Sequence, residues 1–300
     1  MSEIKGLLLE PKRFAVHDGP GIRTSFFFKG CVLKCIWCHN PESIFTQPQM
    51  GYYEHKCLSC GECADVCPVN AHTFPGEQHR FAPELCRVCG KCETACLGNA
   101  LKLYGREMTV ADVMKIALAD VAFYRESGGG VTLSGGEPLM QIDFAEALLR
   151  ELKNAGIHTA VDSCANVETG RFERVLPYTD MFLIDFKHPV SAEHKRLTGS
   201  GNELICRNLQ WLSGHDCRIE IRIPLVPGCN DAPETLAQSA DFLRRLKLEA
   251  VRLLPYHALA GSKYHAVNMP DTMPKVPSPT AEDMEKAGMI LKAAGINALW

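Results

Sequence analysis

Cys31, Cys35 and Cys38 stand at C-x3-C-x2-C spacing within Lys29-Gly30-Cys31-Val32-Leu33-Lys34-Cys35-Ile36-Trp37-Cys38-His39-Asn40. Three thiolates this close can hold three irons of a [4Fe-4S] cubane and leave the fourth iron uncapped, able to bind and activate a substrate as well as carry electrons. The run follows a β-type stretch, Thr24 to Lys29, which puts the thiols on a loop leaving the carboxyl end of a strand. Zinc is the alternative; it takes four N or S ligands in a closed site, and His39 is the candidate for the fourth.

Eight further cysteines form a duplicate at an offset of 29 residues: Cys57, Cys60, Cys63 and Cys67, then Cys86, Cys89, Cys92 and Cys96. Each set has the C-x2-C-x2-C-x3-C spacing of bacterial ferredoxins, in which the fourth cysteine crosses to the other cluster. The expected groups are therefore Cys57, Cys60, Cys63 and Cys96 on one cluster, and Cys86, Cys89, Cys92 and Cys67 on the other. Leu97 stands where the ferredoxin run has proline. Clusters with four cysteine ligands have no open iron, so this insert, about Gly51 to Arg106, is expected to relay electrons to the first site.

Polar residues elsewhere gather where strand-like runs end. Gly135-Gly136-Glu137-Pro138 follows one such run and precedes a helix; its glycines admit close backbone approach, and Glu137 could meet a cationic amine. Asp162 could bind an amine, a hydroxyl or a cation, or simply cap a turn. Asp185 and Lys187 lie on one face of an extended segment, suited to an amino acid's two charged groups or to a structural ion pair. Arg222 and His257 are individually weak candidates. Cys164, Cys206, Cys217 and Cys229 are too widely spaced for a motif, although Cys164 lies beside Asp162.

Alternating segments must position these groups. Strands are expected at Thr24 to Lys29, Gly130 to Ser134, His158 to Asp162, Met181 to Phe186, Cys217 to Pro224 and Ala250 to Pro255. Helices are expected over Thr109 to Ser127, Asp143 to Ala155, Thr169 to Leu176, Leu204 to Ser213 and Pro233 to Lys247. Six βα units fall short of a closed eight-stranded barrel and imply a partial barrel, open on one side, with its site at the carboxyl ends of the strands. The segment Ala258 to Pro279 has the length of a functional cover.

The chain has 300 residues, 46% hydrophobic and 22% charged, enough for one large domain with an insertion. Its net charge of −3 argues against nucleic acid as a partner. No apolar run reaches membrane-spanning length, and Gly6 to Leu9 is too short for a leader's core. Of 15 cysteines, eleven fall in metal-ligand spacings, which points to a reducing cytoplasmic, anaerobic setting rather than to disulfides.

Together these motifs, with Leu254-Pro255-Tyr256-His257, resemble the radical SAM superfamily. His17-Asp18-Gly19-Pro20-Gly21-Ile22-Arg23-Thr24 is more narrowly similar to the signature of the glycyl radical enzyme activating enzymes. The likeness runs from about Phe14 to His257 and includes the ferredoxin-like insert of many members, which the pyruvate formate-lyase activase lacks. It implies an α/β fold, a partial (β/α)6 barrel of the radical SAM type carrying an inserted ferredoxin-like 2[4Fe-4S] domain. Residues 1–50 and 107–300 would form the barrel and 51–106 the insert.

The resemblance implies an oxidoreductase with three [4Fe-4S] clusters. Cys31, Cys35 and Cys38 would hold the cluster whose open iron chelates S-adenosylmethionine. Trp37, His39 and Asn40 would lie against adenine. Gly135, Gly136 and Glu137 would hold the methionine amine; Asp162, Asp185, Lys187 and His257 would fix the remaining methionine and ribose groups, with Arg222 as a further contact. A monovalent cation would sit near Asp162 and Asp185. Asp162-Ser163-Cys164 replaces the Asp-Thr-Asn of the pyruvate formate-lyase activase. Asp18 would meet the glycine loop of the partner, a glycyl radical enzyme, whose Cα hydrogen is taken by a deoxyadenosyl radical. An external low-potential donor such as flavodoxin or ferredoxin would supply the electron. The alternatives are a radical SAM enzyme acting on a small molecule or peptide, and an iron–sulfur electron carrier.

Overall fold

The computed structural model describes residues 4–300. Seven parallel strands form its centre: β1 (Arg23–Phe28), β2 (Gly130–Gly135), β3 (His158–Ser163), β4 (Met181–Asp185), β5 (Arg218–Leu225), β6 (Ala250–Pro255) and β7 (Ala298–Leu299). They pair in that order, so sequence neighbours are spatial neighbours, as successive right-handed βα crossovers produce. The strands expected from sequence are β1 to β6. β7 is an addition, two residues long, too short to leave a periodic pattern. On the other flank Lys5–Leu8 runs antiparallel to β1 and to Arg106–Thr109, and Lys12–Ala15 also pairs with β1.

Parallel strands covered on both faces need apolar residues at nearly every position. Val131, Leu133, Val161, Phe182, Ile184 and Ile221 are accordingly fully buried. Helices Ile142–Asn154, Thr169–Val175, Glu203–Ser213 and Pro233–Leu243 cover the outside. The first presents Phe144, Leu148, Leu149 and Leu152 to the sheet, each such side chain contributing about 1.5–3 kcal/mol of burial. Ser191–Thr198, Gly261–Ala266 and Ala281–Ala293 are further helices that the sequence reading omitted. Thr280 and Asp283 form a reciprocal cap at the start of the last one, a signal visible as T-x-x-D.

The helix expected over Thr109 to Ser127 is two helices, Val110–Leu118 and Val121–Ser127. The break falls at Asp120, whose buried carboxylate accepts from Thr24 Oγ1 at 2.8 Å and pairs with Arg13. Tertiary hydrogen bonding overrides helical periodicity there. The helix from Pro233 likewise ends at Leu243, short of Lys247.

The cysteine-rich segment leaves and rejoins the barrel through one antiparallel pair, Gln49–Tyr52 with Leu101–Tyr104. Above this base lie the helices Glu62–Asp65 and Lys91–Ala95 and the pair His72–Thr73 with Arg80–Phe81. The 29-residue repeat extends to the backbone: Ser59 and Val88 (φ 52° and 53°), and Asn70 and Asn99 (φ 54° and 51°), share left-handed conformations. Among the described residues no helix is long and apolar enough to cross a membrane.

Candidate functional site

β1 ends at Phe28, and Gly30, at φ 102°, turns the chain into the thiol loop. Backbone bonds pin that loop on two sides: Gly30 N and Cys31 N donate to the carbonyls of Ser43 and Ile44, and Lys34 N and Ile36 N to those of Thr198 and Leu197. Cys31, Cys35 and Cys38 consequently border one cavity of about 280 Å³. Its opposite wall is built at the carboxyl ends of β2 to β5 by Gly135, Gly136, Asp162, Asp185, Lys187 and Arg222; Trp37, His39 and Asn40 close a third side. Cys164 also borders it, brought there by its position just beyond β3.

The two glycines have a steric explanation. A Cβ on Gly135 would come within 2.4 Å of Phe28 N, and one on Gly136 within 2.1 Å of Gly30 O. The bare backbone lets Gly136 N donate to Phe28 O and Glu137 N to Gly30 O, locking this turn onto the thiol loop. The Glu137 side chain is fully buried and does not line the cavity. Its carboxylate accepts from Leu139 N at 3.0 Å, Ser163 Oγ at 2.8 Å and Cys164 N at 2.9 Å, while burial raises its pKa.

Charges at the cavity are paired but not extinguished. Lys187 Nζ donates to Asp185 Oδ2 at 2.6 Å; burial pulls the lysine pKa down, and the adjacent Asp185 together with the Cys35 and Cys164 thiols more than reverses this, leaving it above the ordinary value. Asp162 accepts from Ser134 Oγ at 2.8 Å and lies 3.6 Å from Arg222 Nη1. Burial lifts its carboxyl to about 6 against the opposing pull of Arg222.

A second cavity, about 590 Å³, shares His39, Arg222, Leu254 and Pro255 with the first, so the two adjoin. His17, Gly19 and Pro20 line it, as does His257. Asp18 sits in this loop, its carboxylate accepting from Ser25 Oγ at 2.6 Å and its carbonyl from Thr132 Oγ1 at 2.6 Å. His257 is exposed, and its backbone carbonyl, rather than its ring, meets His39 Nε2.

Two functional positions escaped the sequence reading. Arg23, fully buried, bonds Thr132 Oγ1 and Val131 O at 2.6 Å and the carbonyl of Pro20 at 3.2 Å, fixing the loop that carries Asp18. Arg23 stands within the His17–Thr24 signature, and the spacing alone gives it no role. Lys263 Nζ donates to His39 O, Asn40 Oδ1 and Glu42 Oε1 at 2.7 to 3.1 Å, fastening Gly261–Ala266 over the thiol loop. A single lysine in an irregular stretch carries no pattern that could have revealed it.

In the inserted segment, Cys57, Cys60, Cys63 and Cys96 surround one small cavity, and Cys67, Cys86, Cys89 and Cys92 another. Thiolates at such density suit iron–sulfur clusters or zinc.

Residues 25–243 match the family model described as the Radical SAM superfamily. The chain is 40% identical over 293 residues to the choline trimethylamine-lyase activating enzyme of Oleidesulfovibrio alaskensis, covering 95% of this chain and 94% of that protein. It is 41% identical over 295 residues to the trans-4-hydroxy-L-proline dehydratase activating enzyme of Clostridioides difficile, covering 97% of each. Among solved structures, a domain of a pyruvate-formate lyase-activating enzyme from Bacteroides vulgatus superposes with a TM-score of 0.50 at 32% identity, covering 57% of this chain and 98% of that domain.

Proposed function

Since the chain belongs to the radical SAM superfamily and, within it, is an activating enzyme for a glycyl radical enzyme, we propose how its residues divide that task. The open sheet is the partial barrel of that superfamily. We assign residues 1–50, of which 1–3 lie outside the described residues, and 107–300 to the barrel and 51–106 to a ferredoxin-like insert.

The thiols of Cys31, Cys35 and Cys38, on one pinned loop and facing one cavity, fit a [4Fe-4S] cluster with an uncapped iron. Once bound there, that cluster supplies the electron that splits S-adenosylmethionine into methionine and a 5′-deoxyadenosyl radical, which takes a Cα hydrogen from a glycine of the partner. The rest is positioning by the protein. Asp185 and Lys187 offer opposite charges to the zwitterionic methionine end, and the backbone of Gly135 and Gly136 offers the close approach its amine needs. Glu137 acts from behind, holding the turn to β3. Asp162, Arg222 and the backbone at His257 serve the ribose and methionine, and Trp37, His39 and Asn40 the adenine. A monovalent cation would draw on Asp162 and Asp185.

The adjoining larger cavity is the seat for the partner's glycine loop, with Asp18 held by Ser25 at its edge. We assign one [4Fe-4S] cluster to Cys57, Cys60, Cys63 and Cys96, and another to Cys67, Cys86, Cys89 and Cys92. The exposed Cys60 and Cys89 mark where a cytoplasmic flavodoxin or ferredoxin could approach.

One observation carries this reading: the three-thiol cavity, at the carboxyl ends of the strands, shares His39, Arg222, Leu254 and Pro255 with a second cavity large enough for a peptide loop, which is lined by the His17–Pro20 loop and runs on toward Met181, Arg218 and Ala250 at the strands' amino ends. Anaerobically reconstituted, reduced protein mixed with S-adenosylmethionine and its partner should generate a glycyl doublet in EPR. Deoxyadenosine without a doublet would move the assignment to a small-molecule substrate.

A further inference from the structure

The two cysteine cages are near copies, yet one has a neighbour that the other lacks. Backbone donors match pair by pair: Ser59 N to Cys57 Sγ (3.5 Å) with Val88 N to Cys86 Sγ (3.3 Å), and Ala71 N to Cys67 Sγ with Ala100 N to Cys96 Sγ, both 3.2 Å. Among the described residues, only the Cys57 cage has imidazole nitrogens within 3.6 Å of its sulfurs. His79 places Nδ1 3.5 Å from Cys57 Sγ and Nε2 3.6 Å from Cys63 Sγ, and its Nε2 lies 3.0 Å from His72 Nδ1. Residues 29 further along are Leu101 and Met108, which cannot substitute. His79 borders the Cys57 cavity and His72 borders the Cys86 cavity, so the hydrogen-bonded rings span the wall between the cages.

A cluster-bound thiolate only accepts, and His79 has a sulfur near each nitrogen, so one N–H of the ring can serve a sulfur in either tautomer. We take the one that also satisfies the contact between the rings, with the proton on Nδ1 toward Cys57, the shorter sulfur contact. Nε2 is then the acceptor of the pair, and His72 donates from its own Nδ1. Both rings are buried, 3% and 6% exposed, and stacking locks them: His79 on Phe74 at 4.8 Å and 13°, His72 on Phe81 at 4.9 Å and 18°.

Resting on the assignment of two clusters to the insert, we propose that the His72–His79 pair sets the reduction potential of the cluster held by Cys57, Cys60, Cys63 and Cys96, raising it toward that of its neighbour. Added charge on a reduced cluster resides largely on its sulfurs, and an N–H donor favours that state. The neighbouring cavity has Arg87 and Lys91 at its border to favour reduction, whereas no Lys or Arg borders the Cys57 cavity among the described residues. His79 offsets that difference, keeping transfer between the two clusters close to isoenergetic.

The same atoms suggest a rival, since Cys63 Sγ and one nitrogen of each histidine lie within 4.8 Å of one another, a spacing zinc could use. The test uses the full chain, reconstituted anaerobically with iron and sulfide, as wild type, His79→Phe and His72→Phe; phenylalanine keeps the stacking. EPR-monitored redox titration of His79→Phe should show one cluster harder to reduce by about tenfold, about 59 mV for one electron. His72→Phe, which removes no sulfur contact, should shift the same cluster less and in the same direction. Pulsed EPR with 15N-histidine should show nitrogen coupling in wild type that His79→Phe abolishes. Unchanged midpoints in both variants at full iron content, or stoichiometric zinc lost on substituting His79, would overturn the proposal. If His79→Phe loses iron, the His72→Phe shift decides. Failure of the two-cluster assignment is separately visible, as insert cluster signals missing from the wild type.

Discussion

Arg222 Nη2 donates to the carbonyl of His17 at 2.7 Å, joining residues 205 apart in sequence and fixing the loop before the first barrel strand to the fifth. The same guanidinium faces Asp162 from the wall of the smaller cavity. One side chain thus borders both cavities, the proposed peptide seat and the proposed nucleoside seat. Arg222→Lys keeps a cation but not the fork, and losing a charged hydrogen bond of about 1.5–3 kcal/mol should reduce partner activation about 10- to 100-fold. Glycyl radical yield measured against partner concentration checks this.

Asp162 gives the site a pH dependence. Its folded carboxyl, raised by burial to about 6, keeps a proton that the unfolded chain gives up near pH 4. In the empty protein this group's contribution to stability is full below about pH 4 and declines as pH rises to about 6. Ligand hydroxyls or a cation favour the carboxylate, so S-adenosylmethionine should bind more weakly below pH 6, by up to about tenfold per unit. Equilibrium binding under anaerobic conditions should show that slope, and Asp162→Asn should flatten it.

Gly136→Ala would force a Cβ against Gly30 O. The thiol loop has to move, at a cost of about 1–3 kcal/mol, and iron bound at Cys31, Cys35 and Cys38 should fall while that of the insert is retained. Iron analysis combined with EPR separates the two pools. Retention of the full iron complement and of S-adenosylmethionine affinity would contradict the proposed role of this turn.

Lys263→Met removes three donor contacts and leaves Glu42, whose Oε2 is already buried without a partner, without its direct ion-pair partner, the nearby Lys29 ammonium being engaged by the Glu42 carbonyl. The expected loss is about 1–3 kcal/mol, with faster amide exchange across residues 258–279 and weaker S-adenosylmethionine binding. Adding Glu42→Gln should restore much of the stability but not the clamp on His39. A double-mutant cycle followed by chemical denaturation measures the coupling.

Cys35→Ala should abolish S-adenosylmethionine cleavage and leave the insert clusters in place. Cys60→Ala should do the reverse: cleavage persists with dithionite and drops with a protein electron donor. Equal losses with both reductants would place the insert in folding rather than in electron supply.

Much of this was legible because chemistry and fold share a rule: in a parallel barrel the groups that act stand where buried runs end, and Asp162, Asp185 and Gly135 each sit in the last two residues of a strand, after a buried run. The partners of the Glu137 carboxylate were not legible, because they are donors from Ser163, at the end of the next strand, and Cys164 just beyond it. Asp120 broke a helix that its local periodicity favoured, for the same reason. Lys263 and the His72–His79 contact depend on long-range or cross-hairpin placement that no spacing encodes. The strand Ala298–Leu299 is held by pairing with β6 rather than by any propensity of its own.

The cysteine-rich unit begins and ends on one rung, Gln49 opposite Tyr104. Directly opposed residues of an antiparallel pair lie only about 5 Å apart, a gap that a two-residue turn closes. Evolution could therefore gain or discard the whole cassette in a single genetic event without rethreading the barrel, and the same rung is where an engineer could graft a different redox module.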